Sequence, residues 1–194
     1  LMRARYRATG ILFCVAFIWG MTFIWMKQAL TSAEVVLPDV DSRWVAMHFV
    51  AFRFLIGTIS TLVILKASRS GFSDPEVWKG GFSLGLILIL GFLIQMVGLT
   101  DVTPAVSAFL TSLYVVFTAV MGVALGRQRV TSFMIFGVLL ATFGAGWISG
   151  PPRVEFGVGE WLTVVSGFLF AMHIIVTDRV TRLVDPIQST GTMM

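Results

Sequence analysis

Acid is what this sequence has least of. Ten Asp and Glu stand in 194 residues, against fourteen Lys and Arg. None lies in the interior of a long apolar run. Charged residues of both signs make up 12%, where a water-soluble domain carries about 25%. That excludes an ordinary soluble domain. With 57% hydrophobic residues, an integral membrane protein is left. The formal charge of +4 is then a topology signal, and no nucleic-acid partner is expected. Cysteine is almost missing as well. The single Cys14 cannot form an intramolecular disulfide and reads as a small apolar packing group. Two histidines, His48 and His173, are too few for a metal site. Neither His-Glu-x-x-His nor Gly-x-Ser-x-Gly occurs. No catalytic set, metal or cofactor is therefore expected, and a membrane enzyme is disfavoured.

What the chain does have is long apolar runs. They cover Gly10–Met26, about Trp44–Leu65, Gly80–Leu99, Pro104–Gly126, about Val130–Ser149 and about Gly159–Thr177. Each approaches the ~20 residues that cross a bilayer. The first run is long, carries Trp19 and Trp25 and has no clear cleavage site, so it reads as a membrane helix and not a signal peptide. The fold class expected is an all-α polytopic bundle of about six transmembrane helices. Polar connections hold the breakers: Pro38, Gly71, Pro75 and Gly150-Pro151-Pro152. The N-terminus and the connections after the second, fourth and sixth runs hold ten of the fourteen Lys and Arg. That bias puts the N-terminus in the cytoplasm and the protein in an inner or plasma membrane.

The fourth run is not uniformly apolar. Ser107, Thr111, Thr118, Gly122 and Gly126 recur at multiples of about four and share one helix face. Small residues allow close helix approach, so Gly81 and Gly85, Gly122 and Gly126, and Gly146 and Gly150 are expected packing sites. Thr103 and Pro104 fit an N-cap followed by proline at the first helical position. A weak repeat is also present. Shifted by 151 positions, Ala16–Met21 falls on Gly167–Met172. Five helices separate the copies, so the second is inverted in the membrane, an arrangement that marks secondary transporters.

Several words in order resemble the EamA type of the drug/metabolite transporter superfamily. They are Trp19-Gly20-Met21-Thr22-Phe23 with Lys27 behind, Arg53-Phe54-Leu55, Gln95-x-x-Gly98-Leu99, and the stretch Thr103 to Thr118. Gly137 and the Gly144–Gly150 end extend the likeness across nearly the whole chain. Two features depart from it: no proline occurs at Val115–Ala119, and Gly126-Arg127-Gln128 stands where many members have Gly-Glu-Arg. The resemblance implies ten helices in two inverted five-helix halves. Residues 1–150 would be the first repeat, and 151–194 the start of the second, so the sequence is read as part of a longer chain whose C-terminal half completes it. It also implies a small polar or amphipathic metabolite, amino-acid-like compounds included, moved by alternating access and most readily by export. The competing reading is a structural or regulatory membrane subunit that moves nothing. The sequence leaves a homodimer open, together with the substrate and the coupling ion.

Seven residues are candidates for the substrate cavity: Trp19, Thr22, Arg53, Gln95, Thr111, Tyr114 and His173. Arg53 is the sharpest. It sits ~13–18 Å from either end of its run, where a charge costs at least ~2.5–3.5 kcal/mol. It either bonds helix-end carbonyls or Gln95, or meets an anionic group of the substrate. Trp19 shares a face with Phe23 and Lys27. Lys27 is expected to snorkel to the membrane surface. Gln95, Thr111 and Tyr114 are polar groups at depth that suit either helix–helix hydrogen bonds or ligand contacts. His173 falls on Thr22 under the 151-residue shift, making them facing groups across a pseudo-symmetric cavity.

Overall fold

The computed structural model describes residues 2–127, 129–147 and 157–194, and every regular element among them is helical. α1 (Met2–Val36) runs well past Met26, into what the sequence suggests is a loop. The stretch after Met26 holds no glycine or proline until Pro38, and Pro38 disfavours helix only at the residue before it. Polarity there marks the edge of the bilayer, not the end of the helix. α2 (Ser42–Ile64) starts at an N-cap, Asp41, whose side chain accepts from the Arg43 amide at 2.8 Å. A 3-10 stretch, Lys66–Ser73, leads into α3 (Pro75–Asp101). Asp74 caps α3 and Pro75 opens it, so it begins before the expected Gly80.

The expected fourth helix is divided. α4 (Pro104–Ser112) and α5 (Tyr114–Ala124) meet at Leu113. Neither glycine nor proline causes the break. Ser112 donates its hydroxyl to the Phe109 carbonyl at 2.6 Å, and the Leu113 amide tightens onto the Leu110 carbonyl at 3.2 Å. Such hydroxyl back-bonding competes with the helical ladder and bends helices. Taken together, Pro104–Ala124 is still long enough to span. α6 (Ser132–Trp147) is described for 16 residues, short of a full span, and its expected end at Ser149 lies outside the described residues. α7 (Val158–Val180) and α8 (Pro186–Met193) complete the chain. Among the described residues there are five candidate spans, from α1, α2, α3, the α4–α5 pair and α7.

α3 is the centre of the bundle, touching α7, α8, α2, α4 and α1. Its contact with α7 is close because both helices lack side chains where they cross. A Cβ at Gly98 would stand 2.9 Å from the Gly159 carbonyl oxygen, and one at Gly159 would stand 2.9 Å from the Gly98 carbonyl oxygen. α8 is a capped helix, with Asp185 accepting from the Ile187 and Gln188 amides, and it lodges against α3 and the 66–73 turn. Gly81 and Gly85 face its Thr192 side chain and Met193 carbonyl. Gly126 differs from the packing role expected for it. It is exposed in the turn after α5 at φ +67°, with no atom near where a Cβ would stand, so it is a turn glycine. Gly122 is buried one turn earlier.

The helices alternate in direction, so the bundle has two ends. One carries the 66–73 turn, Arg127 and the α7–α8 connection, and is rich in Lys and Arg; we call it the basic end. The far end carries the α1–α2 and α3–α4 turns.

Candidate functional site

A cavity of about 340 Å³ opens between α1, α3, α5 and α7. Its walls are Trp19, Leu88, Tyr114, Phe170, His173, Ile174 and Thr177. α1 is held in place at the far end. The Lys27 ammonium donates to the last carbonyls of α3, those of Leu99 and Thr100, both at 2.8 Å. A cation there complements the negative end of the helix dipole. Lys27 thus caps α3. Two turns along the same face, Trp19 stacks on Tyr114 with centroids 6.5 Å apart and an interplanar angle of 18°. It meets Phe170 edge-on at 6.3 Å. Tyr114 opens α5 directly after the break at Leu113, so the break aims the ring into the cavity. The 151-residue shift superimposes Trp19 on Phe170. The counterparts touch.

Polar groups on this wall are few. Thr177 donates its hydroxyl to the His173 carbonyl at 2.7 Å. Nε2 of His173 is buried with no hydrogen-bond partner among the described residues. The Trp19 indole and the Tyr114 ring bring further polar groups to the same wall. Thr22, its counterpart, turns its hydroxyl back to the Trp19 carbonyl at 2.6 Å and does not line the cavity. His48 lies elsewhere, exposed, with Nδ1 2.8 Å from the Trp44 carbonyl oxygen.

Gln95 and Thr111 come together, but with each other. Gln95 Nε2 donates to Thr111 Oγ1 at 3.0 Å in a fully buried seam between α3 and α4. Gln95 Oε1 and Ser107 Oγ are buried there without partners among the described residues. Neither Gln95 nor Thr111 reaches the cavity wall. The seam orders helices; unmet polar groups in an apolar interior are costly and fix one arrangement.

Arg53 is also set apart. Its Nη1 lies 3.4 Å from Met26 Sδ, and its guanidinium carbon stands 4.5 Å from the centroid of the Phe92 ring. Phe92 packs edge-on against Phe54 at 5.6 Å and against Phe170 at 5.1 Å. Two ring layers therefore separate the guanidinium from the cavity. Among the described residues it has neither an ion pair nor a bond to Gln95. Its charge is met by a ring face, a cation–π contact.

A second cavity, about 530 Å³, lies at the basic end and is lined by Thr118, Gly122, Arg127, Ile174, Ile175, Asp178 and Arg182. Ile174 belongs to both cavities, so they are neighbours along α7. Sequence reading missed this cluster. It treated Arg127 and Arg182 as topology charges, and no spacing joins the turn after α5 to the end of α7. Leu88 and Ile174 carried no signal either, being ordinary residues of apolar runs, and Phe170 was marked only as the counterpart of Trp19 under the 151-residue shift.

Comparison with known proteins accords with this architecture. Residues 8–150 match the EamA-like transporter family. A protein of Archaeoglobus fulgidus described as an uncharacterized transporter is 30% identical over 172 residues, which is 89% of this chain and 49% of the relative. The chain thus spans about half the length of that curated relative. No solved structure matches. This multi-pass membrane chain belongs to the EamA-like transporter family.

Proposed function

We propose that this chain forms part of a secondary active transporter that exports small polar or amphipathic metabolites, amino-acid-like compounds among them. The observation that carries this reading is the position of the aromatic cavity. It sits where Trp19 of α1 meets its repeat counterpart Phe170 of α7. Interfaces between inverted repeats are where secondary transporters hold their substrates. On this reading residues 1–150 are the first repeat and 151–194 open the second. Trp19, Tyr114 and Phe170 take the apolar body of the substrate. The His173 side chain takes one polar group. The excess of Lys and Arg at the basic end supports a cytoplasmic N-terminus, and the family resemblance supports export.

The test is transport by the intact protein reconstituted in vesicles, against a panel of amino acids and related metabolites. Protein-dependent flux of at least one compound is expected, with Trp19→Ala and His173→Ala each lowering it about tenfold. A protein that folds, inserts and moves no compound of the panel removes the transport reading in favour of a structural subunit. Flux that survives both substitutions removes this cavity from the path.

A further inference from the structure

We infer that the cavity at the basic end is an anion subsite, built to hold the carboxylate of a small amphipathic acid whose apolar body reaches the aromatic cavity beside it. The inference deepens the transport reading above and rests on it for the direction of the path. It starts from an imbalance of charge. Arg127, Asp178 and Arg182 all line this cavity. Two guanidinium groups face one carboxylate, which leaves one positive charge over.

The geometry says which guanidinium is in excess. Arg182 grips Asp178 at close range: its Nη2 lies 3.0 Å from Oδ1 and 3.2 Å from Oδ2, and its Nε lies 3.3 Å from Oδ1. The two residues stand four apart on one chain, a spacing suited to ion pairing. Arg127 comes from the other side of the cavity, from the turn that Gly126 makes at positive φ. Its contacts are long. Nη1 is 3.4 Å from Asp178 Oδ2 and 3.4 Å from the Ile175 carbonyl oxygen. Asp178 is therefore already occupied by Arg182, and Arg127 is loosely held. Its side chain is 36% exposed, less than the 75% of Arg182 and the 48% of Asp178, so it is the guanidinium set deepest beside the cavity. A planar guanidinium with donors to spare, facing a cavity, suits the two oxygens of a carboxylate.

The surroundings fit an amphipathic guest. Ile174 stands in the wall of both cavities. A head group at Arg127 can thus carry an apolar body past Ile174 toward Phe170 and Trp19. Gly122 keeps the floor beside Arg127 low, since it is buried and brings no side chain. Arg53 is a weaker candidate for the same task, because Phe92 covers it.

The experiment measures equilibrium binding of two probes to the intact protein in phosphatidylcholine nanodiscs. The probes are 3-phenylpropanoate and 3-phenylpropanamide, which share an apolar body and differ in charge. The parent is expected to prefer the acid about tenfold. Arg127→Gln should erase that preference while keeping the amide bound, and Arg127→Lys should keep part of it. Asp178→Asn removes the competing carboxylate and should strengthen acid binding several-fold, a gain that a merely structural pair would not give. Equal binding of acid and amide by the parent overturns the inference, as does a preference that survives Arg127→Gln. So does weaker acid binding by Asp178→Asn. A lipid phosphate shares this chemistry. If phosphatidylglycerol competes the acid off in an Arg127-dependent way, the site belongs to a lipid head group and the assignment to substrate falls. Failure of the two readings is separable. Arg127-dependent binding without vesicle flux sinks transport and keeps the subsite; flux with equal acid and amide preference does the reverse.

Discussion

α6 and α7 are both apolar enough for lipid, yet the bundle treats them as opposites. α7 lies against α3, α4 and α5. Its Gly159, Thr163, Ser166, Gly167, Phe170 and Ala171 are all buried. α6 meets α5, and its Phe133, Phe136, Leu139, Leu140 and Phe143 are exposed. Apolarity does not choose between these fates, because a lipid tail is as apolar as a leucine. Close approach does. The buried face of α7 repeats small and hydroxylated residues at helical spacing, and its hydroxyls are satisfied within the helix, Thr163 on the Gly159 carbonyl at 2.8 Å and Ser166 on the Thr163 carbonyl at 2.7 Å. α6 has glycines too, but a Cβ at Gly137 would meet no atom within 4 Å. A glycine makes a contact only where a partner backbone is waiting.

The strongest way to break this contrast is to fill one glycine in each helix. Gly159→Leu drives a side chain into the Gly98 carbonyl, Asp101 and Val102. Overpacking of this kind costs ~1–3 kcal/mol or more. Most of the monodisperse protein in detergent should be lost. Gly137→Leu points into open space and should leave yield and melting unchanged. Equal losses would mean that α6 and α7 are packed alike.

The buried seam gives a smaller and more exact comparison. Thr111→Val strands the Gln95 amide in an apolar interior and should cost ~1–2 kcal/mol in a melting experiment. Gln95→Leu removes the amide together with its unpartnered Oε1, so it should cost less. The double variant should match Gln95→Leu alone, leaving a large coupling energy. Ser60→Ala, on an exposed face of α2, should change nothing. Additive single costs would show that Gln95 and Thr111 do not share a bond.

Lys27→Met is expected to be milder still. It uncovers the Leu99 and Thr100 carbonyls at the end of α3, a loss of ~1 kcal/mol. Thermal melting of the variant against the parent checks it. An unchanged melting temperature would mean that water replaces the ammonium at no cost.

Much of the helical order was legible because membrane spans announce themselves by length and apolarity. Boundaries were not, since helices outlast the bilayer: α1 continues through Gln28 and Glu34 to Val36. The α8 signal, Asp185-Pro186, was present in sequence but sat in a polar stretch. The break at Leu113 had no proline or glycine to mark it. In the cavity, Trp19, Tyr114 and His173 stood out as large or polar residues in apolar runs, and the structure brings them together. Leu88 could not be told from a packing residue, and only the 151-residue shift onto Trp19 pointed to Phe170. Arg127 and Asp178 are 51 residues apart, and only tertiary structure joins them. Gln95 and Thr111 were legible as polar groups at depth, but not as partners of one another.

Arg53 and Arg127 sharpen the contrast between a half-buried residue set against the core and one that faces a cavity. Sequence gave Arg53 the larger claim, because a charge at mid-span must be met by something. The structure meets it with the Phe92 ring and Met26 Sδ. A cation–π contact supplies ~0.5–2 kcal/mol, while a charge at mid-span costs at least ~2.5 kcal/mol. Arg53→Met keeps length and apolar contact and removes that charge, so the fold should be as stable as the parent or slightly more so. Phe92 and Phe170 still stand between position 53 and the cavity, so transport should fall at most a few-fold, and equally for an acid and its amide. Arg127→Gln should instead discriminate between the two. The measurement is the acid-to-amide ratio of vesicle flux for both variants side by side. If Arg53→Met abolishes flux of the acid and spares the amide, the guanidinium reaches substrate after all, and its stacking on Phe92 would then be a resting position that the guest displaces.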